Sequence, residues 1–263
     1  MDIFVNENRL KIVLFIIIFY SFSFTLLKTF FSIENLKKTI KSDYIAVNLY
    51  FLIFFILLLF LPISLIFIFT FEGFKSQSFS KADILVLYLK ELFNFKIGNY
   101  KTGILITISS LPLIILLQKN QNNELANFYP FSKEILKNKK KFIINQFLYF
   151  FLYYTAWEFT FRGFFQNFIL FSFDYSNINL YSNNSLNIIT NYSIYILFIS
   201  ITIQTIISTL FHIGHPKIEI FASFIGGYIF GFLTYITSSI IYNILIHAFL
   251  GITTDYFIFK NKN

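Results

Sequence analysis

The chain has 263 residues, of which 56% are hydrophobic and 22% aromatic, while only 13% are charged. A soluble domain carries about 25% charged residues, so this composition excludes an ordinary cytosolic globule and a disordered protein. Cysteine is absent, which excludes disulfides, thiolate metal sites and a cysteine nucleophile. The net charge of +8 comes largely from lysines beside apolar runs, which favours loops facing anionic lipid headgroups over nucleic-acid binding.

A membrane-spanning helix needs about 20 mostly apolar residues. The sequence offers seven such segments, which are residues 12–31, 45–71, 102–118, 142–173, 193–211, 218–236 and 238–259. Residues 83–95 instead have apolar side chains at helical spacing with a charged opposite side, which predicts an interfacial amphipathic helix. A short soluble helix in a loop is the alternative for that segment. The pattern predicts an all-α polytopic membrane bundle of about seven spans, forming a single domain over residues 1–263.

The lysine distribution predicts the orientation of the C-terminal half. Residues 119–141 contain a run of lysines, whereas residues 172–192 contain none. Because cytoplasmic loops are enriched in Lys and Arg, residues 119–141 are predicted to be cytoplasmic and residues 172–192 external. Alternation then puts the N-terminus outside and the C-terminus in the cytoplasm. The lysines of residues 75–101 fall outside in this arrangement, against the rule. We predict a multi-pass protein of a bacterial cytoplasmic membrane.

Ionisable residues are costly inside a membrane and usually have a function there. The fourth segment contains Glu158 and Arg162, which lie four residues apart and therefore on one helix face. One interpretation is a structural ion pair in which each charge makes the other tolerable. The other is that Glu158 acts as a general base inside the helix bundle.

All the histidines lie near the C-terminal end of the chain. His212 ends the fifth segment, and His247 lies within the seventh, with Asn243 one turn before it and Gly251 one turn after. His215 stands between a glycine and a proline, which favours a structural or peripheral position.

Three segments therefore each supply one chemically capable group: Glu158, His212 and His247. One interpretation is water activation by the carboxylate, with the imidazoles stabilising an oxyanion. The other is a metal site with two histidine ligands and one carboxylate. The spacing does not separate the two. We expect the three side chains to face a common polar cavity, because buried ionisable groups need partners or water.

At these residues the chain resembles the CPBP family, which comprises membrane-embedded CAAX-prenyl endopeptidases and bacteriocin-processing or Abi-type proteins. The family pattern is Glu-Glu-x-x-x-Arg on one span, Phe-x-x-x-His on a later span and His-x-x-x-Asn/Asp on the last. Glu158 matches the second glutamate of the first motif, and Arg162 and Gly163 match its Phe-Arg-Gly ending. His212 and His247 match the two histidines. The resemblance covers residues 142–259 and implies a catalytic core there, while residues 1–141 correspond only as membrane spans.

Three positions depart from the family pattern. Trp157 occupies the place of the first glutamate, which in the family is the favoured water-activating base. Ser208 replaces the phenylalanine of the second motif, and Gly251 replaces the final Asn or Asp. Helix geometry places Asn243 and Asp255 on the same face as His247, where either could supply the missing polar contact.

The resemblance implies an intramembrane endopeptidase that hydrolyses a peptide bond of a membrane-associated or lipidated substrate. In that interpretation Glu158 activates water, Arg162 holds Glu158, and His212 and His247 stabilise the oxyanion. No cofactor is expected, although a divalent metal held by Glu158, His212 and His247 stays open. Membrane lipid and a membrane-associated peptide are the expected partners. An inactive membrane scaffold or immunity protein is the alternative. A transporter using the buried groups as a proton relay is a third interpretation, which the lack of internal symmetry disfavours.

Overall fold

The computed structural model describes residues 8–64, 94–119, 123–167, 169–170 and 194–262. Within these ranges the regular elements are all helices, and there is no β-strand. In chain order the α-helices are α1 (Asn8–Thr29), α2 (Ile33–Thr39), α3 (Asp43–Phe55), α4 (Tyr100–Lys119), α5 (Asn123–Phe128), α6 (Lys139–Leu148), α7 (Thr155–Glu158), α8 (Ile194–Phe211), α9 (Lys217–Thr237) and α10 (Ile241–Lys262). The predicted all-α class is therefore confirmed.

Wider helical turns of the π type link or extend several of these helices. One continues α3 over Ile56–Phe60, one joins α6 to α7 over Tyr149–Tyr154, and one continues α7 over Phe159–Gln166. Residues 139–166 consequently form one continuous helix, which we call the long helix. A 3₁₀ turn over Lys133–Lys137 precedes it.

Five of the described helices are long and apolar enough to cross a membrane. They are Asp43–Ser64, Tyr100–Lys119, Ile194–Phe211, Lys217–Thr237 and Ile241–Lys262. They correspond to the second, third, fifth, sixth and seventh predicted segments, so the protein is an integral membrane protein. The count of seven spans is not confirmed. The predicted amphipathic helix at residues 83–95 lies almost entirely outside the described residues.

The chain divides into two compact units. Among the described residues, the first unit combines 8–10 and 94–104 with those of 158–243. The second unit combines 11–64 with those of 105–157 and 244–262. The prediction of a single domain with a core at 142–259 stays a prediction.

In the second unit, α3 packs along the long helix through aromatic rings. Phe51 stacks on Tyr149 with ring centroids 4.8 Å apart and an interplanar angle of 11°. One turn further along α3, Phe54 lies 4.5 Å from Tyr153 by ring centroid and 6.1 Å from Trp157. Aromatic pairs of this kind add about 0.5–1.5 kcal/mol each beyond their buried area, so this seam fixes the register of the two helices.

One end of the second unit gathers three parts of the chain. Lys37, in α2, forms an ion pair with Asp43 at the start of α3 (N···O 2.5 Å), and Asp43 also accepts a hydrogen bond from the backbone N–H of Lys133 (2.6 Å). Leu136 packs in a buried cluster with Ile258, near the end of α10. The predicted alternation of seven spans would place these three parts on one side of the membrane, which stays a prediction. The cytoplasmic assignment of this side stays a prediction.

In the first unit, α8 and α9 pack closely along two glycines. Gln204 of α8 donates a side-chain hydrogen bond to the carbonyl of Gly227 (2.8 Å), and Gln166 of the long helix donates one to the carbonyl of Gly231 (2.9 Å). The two glycines lie four residues apart and so on the same face of α9. Such small residues allow close backbone approach between membrane helices, and the glutamines add interhelical hydrogen bonds.

The opposite end of the first unit is held by backbone hydrogen bonds between segments that are distant in the sequence. The N–H of Asn99 donates to the carbonyl of Thr237 (2.7 Å), and the N–H of Ile240 donates to that of Asn94 (3.0 Å). Gly98 has φ +57° and lies directly against Thr237, where a Cβ atom would overlap the carbonyl oxygen. The start of α4 is thereby fixed beside the turn that joins α9 to α10.

Candidate active site

Glu158 and Arg162 form the predicted ion pair inside the first unit. Arg162 donates from Nη1 to Oε1 of Glu158 at 3.4 Å, and the exposed fractions of the two side chains are 3% and 0%. The guanidinium also lies over the ring of Phe230 in α9, 5.4 Å from its centroid. The cation is therefore held by a carboxylate and by an aromatic face, as a charge buried among apolar helices requires.

The packing of the long helix on α8 determines where Glu158 lies along the axis of this helix pair. Leu170 packs against Leu197 near the start of α8, and Phe161 packs against Phe211 at its end, with ring centroids 5.8 Å apart. The two helices are therefore antiparallel. Glu158 lies almost one turn before Phe161 in the long helix. Because the two helices are antiparallel, the chain that leaves α8 after Phe211 runs from the level of Phe161 toward that of Glu158. Glu158 and the turn that follows α8 consequently lie toward the same end of this helix pair.

A tight turn after α8 brings two histidines and a glutamate together. His215 donates from Nδ1 to Oε1 of Glu219 (2.9 Å), and Nε2 of His212 lies 3.8 Å from the same oxygen. The two imidazole centroids are 5.3 Å apart. Gly214 permits the turn with φ +101°, a left-handed conformation that favours glycine. The turn thus brings His215 beside His212, and its assignment as structural or peripheral stays a prediction.

His212 is fixed on its other ring nitrogen. Its Nδ1 lies 3.0 Å from the backbone carbonyl of Ser208, one turn earlier in α8, which favours the tautomer with the proton on Nδ1. In both histidines Nδ1 is therefore held by an oxygen acceptor. Ser208, which replaces the family's phenylalanine, is buried and donates its own hydroxyl to the Thr205 carbonyl (3.0 Å).

The sequence interpretation missed a second match to the family's Phe-x-x-x-His motif. Phe211 precedes His215 by four residues, so this pair carries the motif with its phenylalanine intact. The match through His212 instead requires Ser208 in the phenylalanine position. The spacing alone could have revealed this alternative. Its contact with Glu219 makes His215 a site candidate alongside His212.

His247 belongs to the second unit, where α10 runs antiparallel to the long helix. Phe142 packs on Phe259 with centroids 4.8 Å apart, and one turn further Gln146 donates to Asp255 (2.8 Å). Further along the same seam, His247 lies half-buried against Tyr154, with ring centroids 4.7 Å apart. This regular antiparallel pairing places His247 on the face of α10 that meets the long helix.

Trp157 fills the position of the family's first glutamate with an apolar ring. It is 4% exposed and stacks on Phe54 with an interplanar angle of 6°. Its ring also meets His247 edge-on, at 6.4 Å between centroids. This aromatic environment provides none of the acid–base chemistry that the family's first glutamate supplies. Glu158 is therefore the carboxylate that this motif retains.

The two polar residues predicted to replace the final Asn or Asp are hydrogen-bonded to other groups. Asn243, in the first unit, donates to the Phe230 carbonyl (2.9 Å) and to the Thr234 hydroxyl (2.6 Å). Asp255 accepts from Gln146 at the far end of α10. At position 251 itself, a Cβ atom would overlap the phenol oxygen of Tyr154.

The predicted site residues are thus distributed over the two units. Glu158, Arg162 and His212 lie in the first, and His247 lies in the second. Their convergence on one cavity stays a prediction. Within the described ranges, no group of three or more His, Cys, Asp or Glu side chains is arranged to bind a metal ion.

Comparison with known proteins adds one match. Residues 139–253 match the family model described as Type II CAAX prenyl endopeptidase Rce1-like. The comparisons with curated proteins and with solved structures give no match. The matched segment contains the Glu158–Arg162 pair, the histidine turn and His247, in agreement with the resemblance drawn from these residues. Over residues 139–253 the chain is therefore similar to the Rce1-like type II CAAX prenyl endopeptidases.

Proposed function

We propose that this protein hydrolyses a peptide bond of a membrane-associated, lipidated substrate and that Glu158 activates the attacking water. The observation that carries the proposal is the buried Glu158–Arg162 pair, which occupies the first motif of the matched family segment. A fully buried carboxylate inside a membrane protein is retained for a reason, and a general base is one that the family supplies. The lipidated substrate is the class named in the family description, and membrane lipid is the medium from which it would be drawn.

In the proposed reaction, Glu158 accepts a proton from water as the water oxygen attacks the scissile carbonyl carbon. The resulting tetrahedral intermediate carries a negative oxygen, which hydrogen-bond donors stabilise. The proton held by Glu158 then passes to the leaving amine as the C–N bond breaks. Arg162 keeps Glu158 oriented through the 3.4 Å contact and the Phe230 ring. No cofactor is required for these steps.

We assign the oxyanion donors to His247 and to the histidine turn. Within that turn His215 is the better candidate, because it carries the intact Phe211-x-x-x-His spacing and because Glu219 holds its Nδ1. Donation of the Nδ1 proton to a carboxylate orients the ring, and Nε2 donates to the oxyanion when it carries a proton. His212, the residue matched first from the sequence, then supports the turn or shares the role.

Cleavage by the purified full-length protein in lipid nanodiscs tests the proposal. The substrate is a fluorogenic farnesylated CAAX peptide, and the same peptide without the lipid is the control. Glu158→Gln should lower the rate by about a hundredfold or more, the usual effect of removing a general base. Glu124→Gln, an exposed glutamate in α5, should leave the rate unchanged. Equal cleavage by Glu158→Gln and wild type would remove Glu158 from the mechanism, and inhibition by a chelator would favour the metal site.

The alternative function is a non-catalytic scaffold or immunity protein that keeps the family fold. Trp157 and Gly251 favour it, since each replaces a polar residue of the family pattern. A folded wild-type protein that binds the lipidated peptide and releases no product would support this alternative. Binding is measured on the same nanodiscs by fluorescence anisotropy of the labelled peptide.

A further inference from the structure

The replacement of the last family motif residue by Gly251 has a structural counterpart on the long helix. A Cβ atom on residue 251 would overlap the phenol oxygen of Tyr154 and would also crowd the adjacent ring carbon. Tyr154 is only 3% exposed, so its ring has no free space into which to move. Glycine inside a helix costs about 1 kcal/mol relative to alanine, so a glycine here needs a packing reason. The position of Tyr154 provides that reason.

Tyr154 is also the closest aromatic neighbour of His247 among the described ring contacts. The two ring centroids are 4.7 Å apart with an interplanar angle of 54°. Because His247 and residue 251 are one turn apart on the same face of α10, the phenol spans from the imidazole to the place of the missing side chain. The hydroxyl therefore lies where a polar side chain on residue 251 would begin.

The ring of Tyr154 is fixed by other rings of the second unit. Its centroid lies 4.4 Å from that of Tyr149 and 5.6 Å from that of Tyr153. These contacts pack the phenol into the seam between the long helix and α10. A hydroxyl that is both buried and immobilised can hold a neighbouring imidazole in one orientation.

We propose that Tyr154 is the positioning residue of His247, and that its phenol replaces in space the polar side chain that the chain lacks at position 251. Gly251 and Tyr154 are then a reciprocal pair. The phenol leaves no room for a side chain at position 251, and a side chain at that position would leave no room for the phenol. The catalytic part of this inference rests on the proposed endopeptidase function. The packing part concerns Tyr154, His247 and Gly251 alone.

Removal of one hydroxyl tests the positioning role. Tyr154→Phe should lower kcat about tenfold or more, with KM unchanged, because the substrate still binds while His247 loses its orientation. Tyr149→Phe is the matched control, since it removes a hydroxyl from the same aromatic cluster on the same helix and should leave kcat unchanged. The pH titration of the His247 imidazole, followed by NMR with ¹⁵N-labelled histidine, should shift in Tyr154→Phe and not in Tyr149→Phe. An unchanged titration in Tyr154→Phe overturns the proposal even if the protein has no protease activity.

Substitution of the two residues, singly and together, tests the reciprocal packing. Gly251→Asn should reduce the yield of folded, monodisperse protein severalfold, because the new side chain meets Tyr154. Adding Tyr154→Ala should restore much of that yield, and the double variant should cleave faster than Tyr154→Ala alone, because the asparagine then occupies the vacated place beside His247. A double variant that folds no better than Gly251→Asn overturns the reciprocal pair. Absence of cleavage in the wild type would refute the proposed function, while the titration and folding readouts would still decide this inference.

Discussion

Arg162 places Nη1 3.4 Å from Oε1 of Glu158, and neither side chain is more than 3% exposed. The spacing of four residues on one helix face makes the contact possible, and burial makes it necessary, since an isolated charge among apolar helices is strongly penalised. The same contact orients the carboxylate that we propose as the general base. The ion pair therefore affects both the stability of the first unit and the general-base role that we propose for Glu158.

Loss of Arg162 should damage the fold more than loss of the Glu158 charge. Glu158→Gln retains an amide oxygen that accepts from Arg162, whose guanidinium also keeps the Phe230 ring. Arg162→Ala removes the donor and the volume of a long side chain, and breaking a buried pair in this way costs about 3–5 kcal/mol. The difference in melting temperature is measured by thermal unfolding in detergent, with size-exclusion chromatography as the readout of the folded fraction. Arg162→Met retains the volume without the charge, and a melting temperature equal to that of wild type would show that the pair is not structural.

The two adjacent glycines of α9 should differ sharply in their tolerance of a methyl group. A Cβ atom on Gly227 would meet the side chain of Thr205 in α8, whereas a Cβ atom on Gly226 would have no atom within 4 Å. Gly227→Ala should therefore destabilise the protein by about 1–3 kcal/mol through overpacking. Gly226→Ala should be neutral or stabilising by up to about 1 kcal/mol, because alanine favours the helix. Equal melting temperatures for the two variants would contradict the close α8–α9 contact.

The stability of the second unit should increase between pH 8 and pH 10.5 because of Lys133. Burial, followed by repulsion from Lys262, lowers the pKa of Lys133 from 10.5 to about 8, while Asp255 and Asp43 oppose the shift and Lys37 adds to it. The folded protein therefore loses this proton at a lower pH than the unfolded chain. Because the unfolded state binds more protons in this window, stability rises with pH there.

Lys133→Gln isolates this contribution from the other groups that titrate at high pH. Above pH 8 the melting temperature of the variant should increase less than that of the wild type, because the contribution of Lys133 is missing. Lys137→Gln, an exposed lysine in the same 3₁₀ turn, serves as the control and should follow the wild type. Parallel pH profiles for wild type and Lys133→Gln would mean that Lys133 keeps its proton as readily folded as unfolded.

Periodicity predicted the features that depend on neighbours within one helix. The apolar runs predicted the all-α class and five of the described membrane helices, and the i,i+4 spacing predicted the Glu158–Arg162 contact. Periodicity could not predict contacts between residues that are distant in the sequence. The overlap of position 251 with Tyr154 joins residues from two helices whose register depends on the packing of many aromatic rings. The position of His215 depends on the left-handed Gly214, which the sequence marked only as a helix break.

The histidine turn should separate into one residue that cleavage requires and one that it tolerates losing. His215→Ala removes the imidazole that Glu219 fixes and that carries the intact Phe211 motif, so we expect a loss of about a hundredfold or more in rate, typical of an oxyanion donor. His212→Ala removes a ring whose Nδ1 is held by the Ser208 carbonyl of its own helix and whose position requires Ser208 in place of the motif phenylalanine, so the loss in rate should be several times smaller. Glu219→Gln should fall between the two, because an amide oxygen can still accept from Nδ1 of His215 but holds the ring less strongly than a carboxylate does. Rates are compared on the farnesylated peptide at matched amounts of folded protein. If His212→Ala abolishes cleavage and His215→Ala does not, the motif histidine is His212, as the first match to the sequence predicted, and the intact phenylalanine spacing at Phe211 is coincidental.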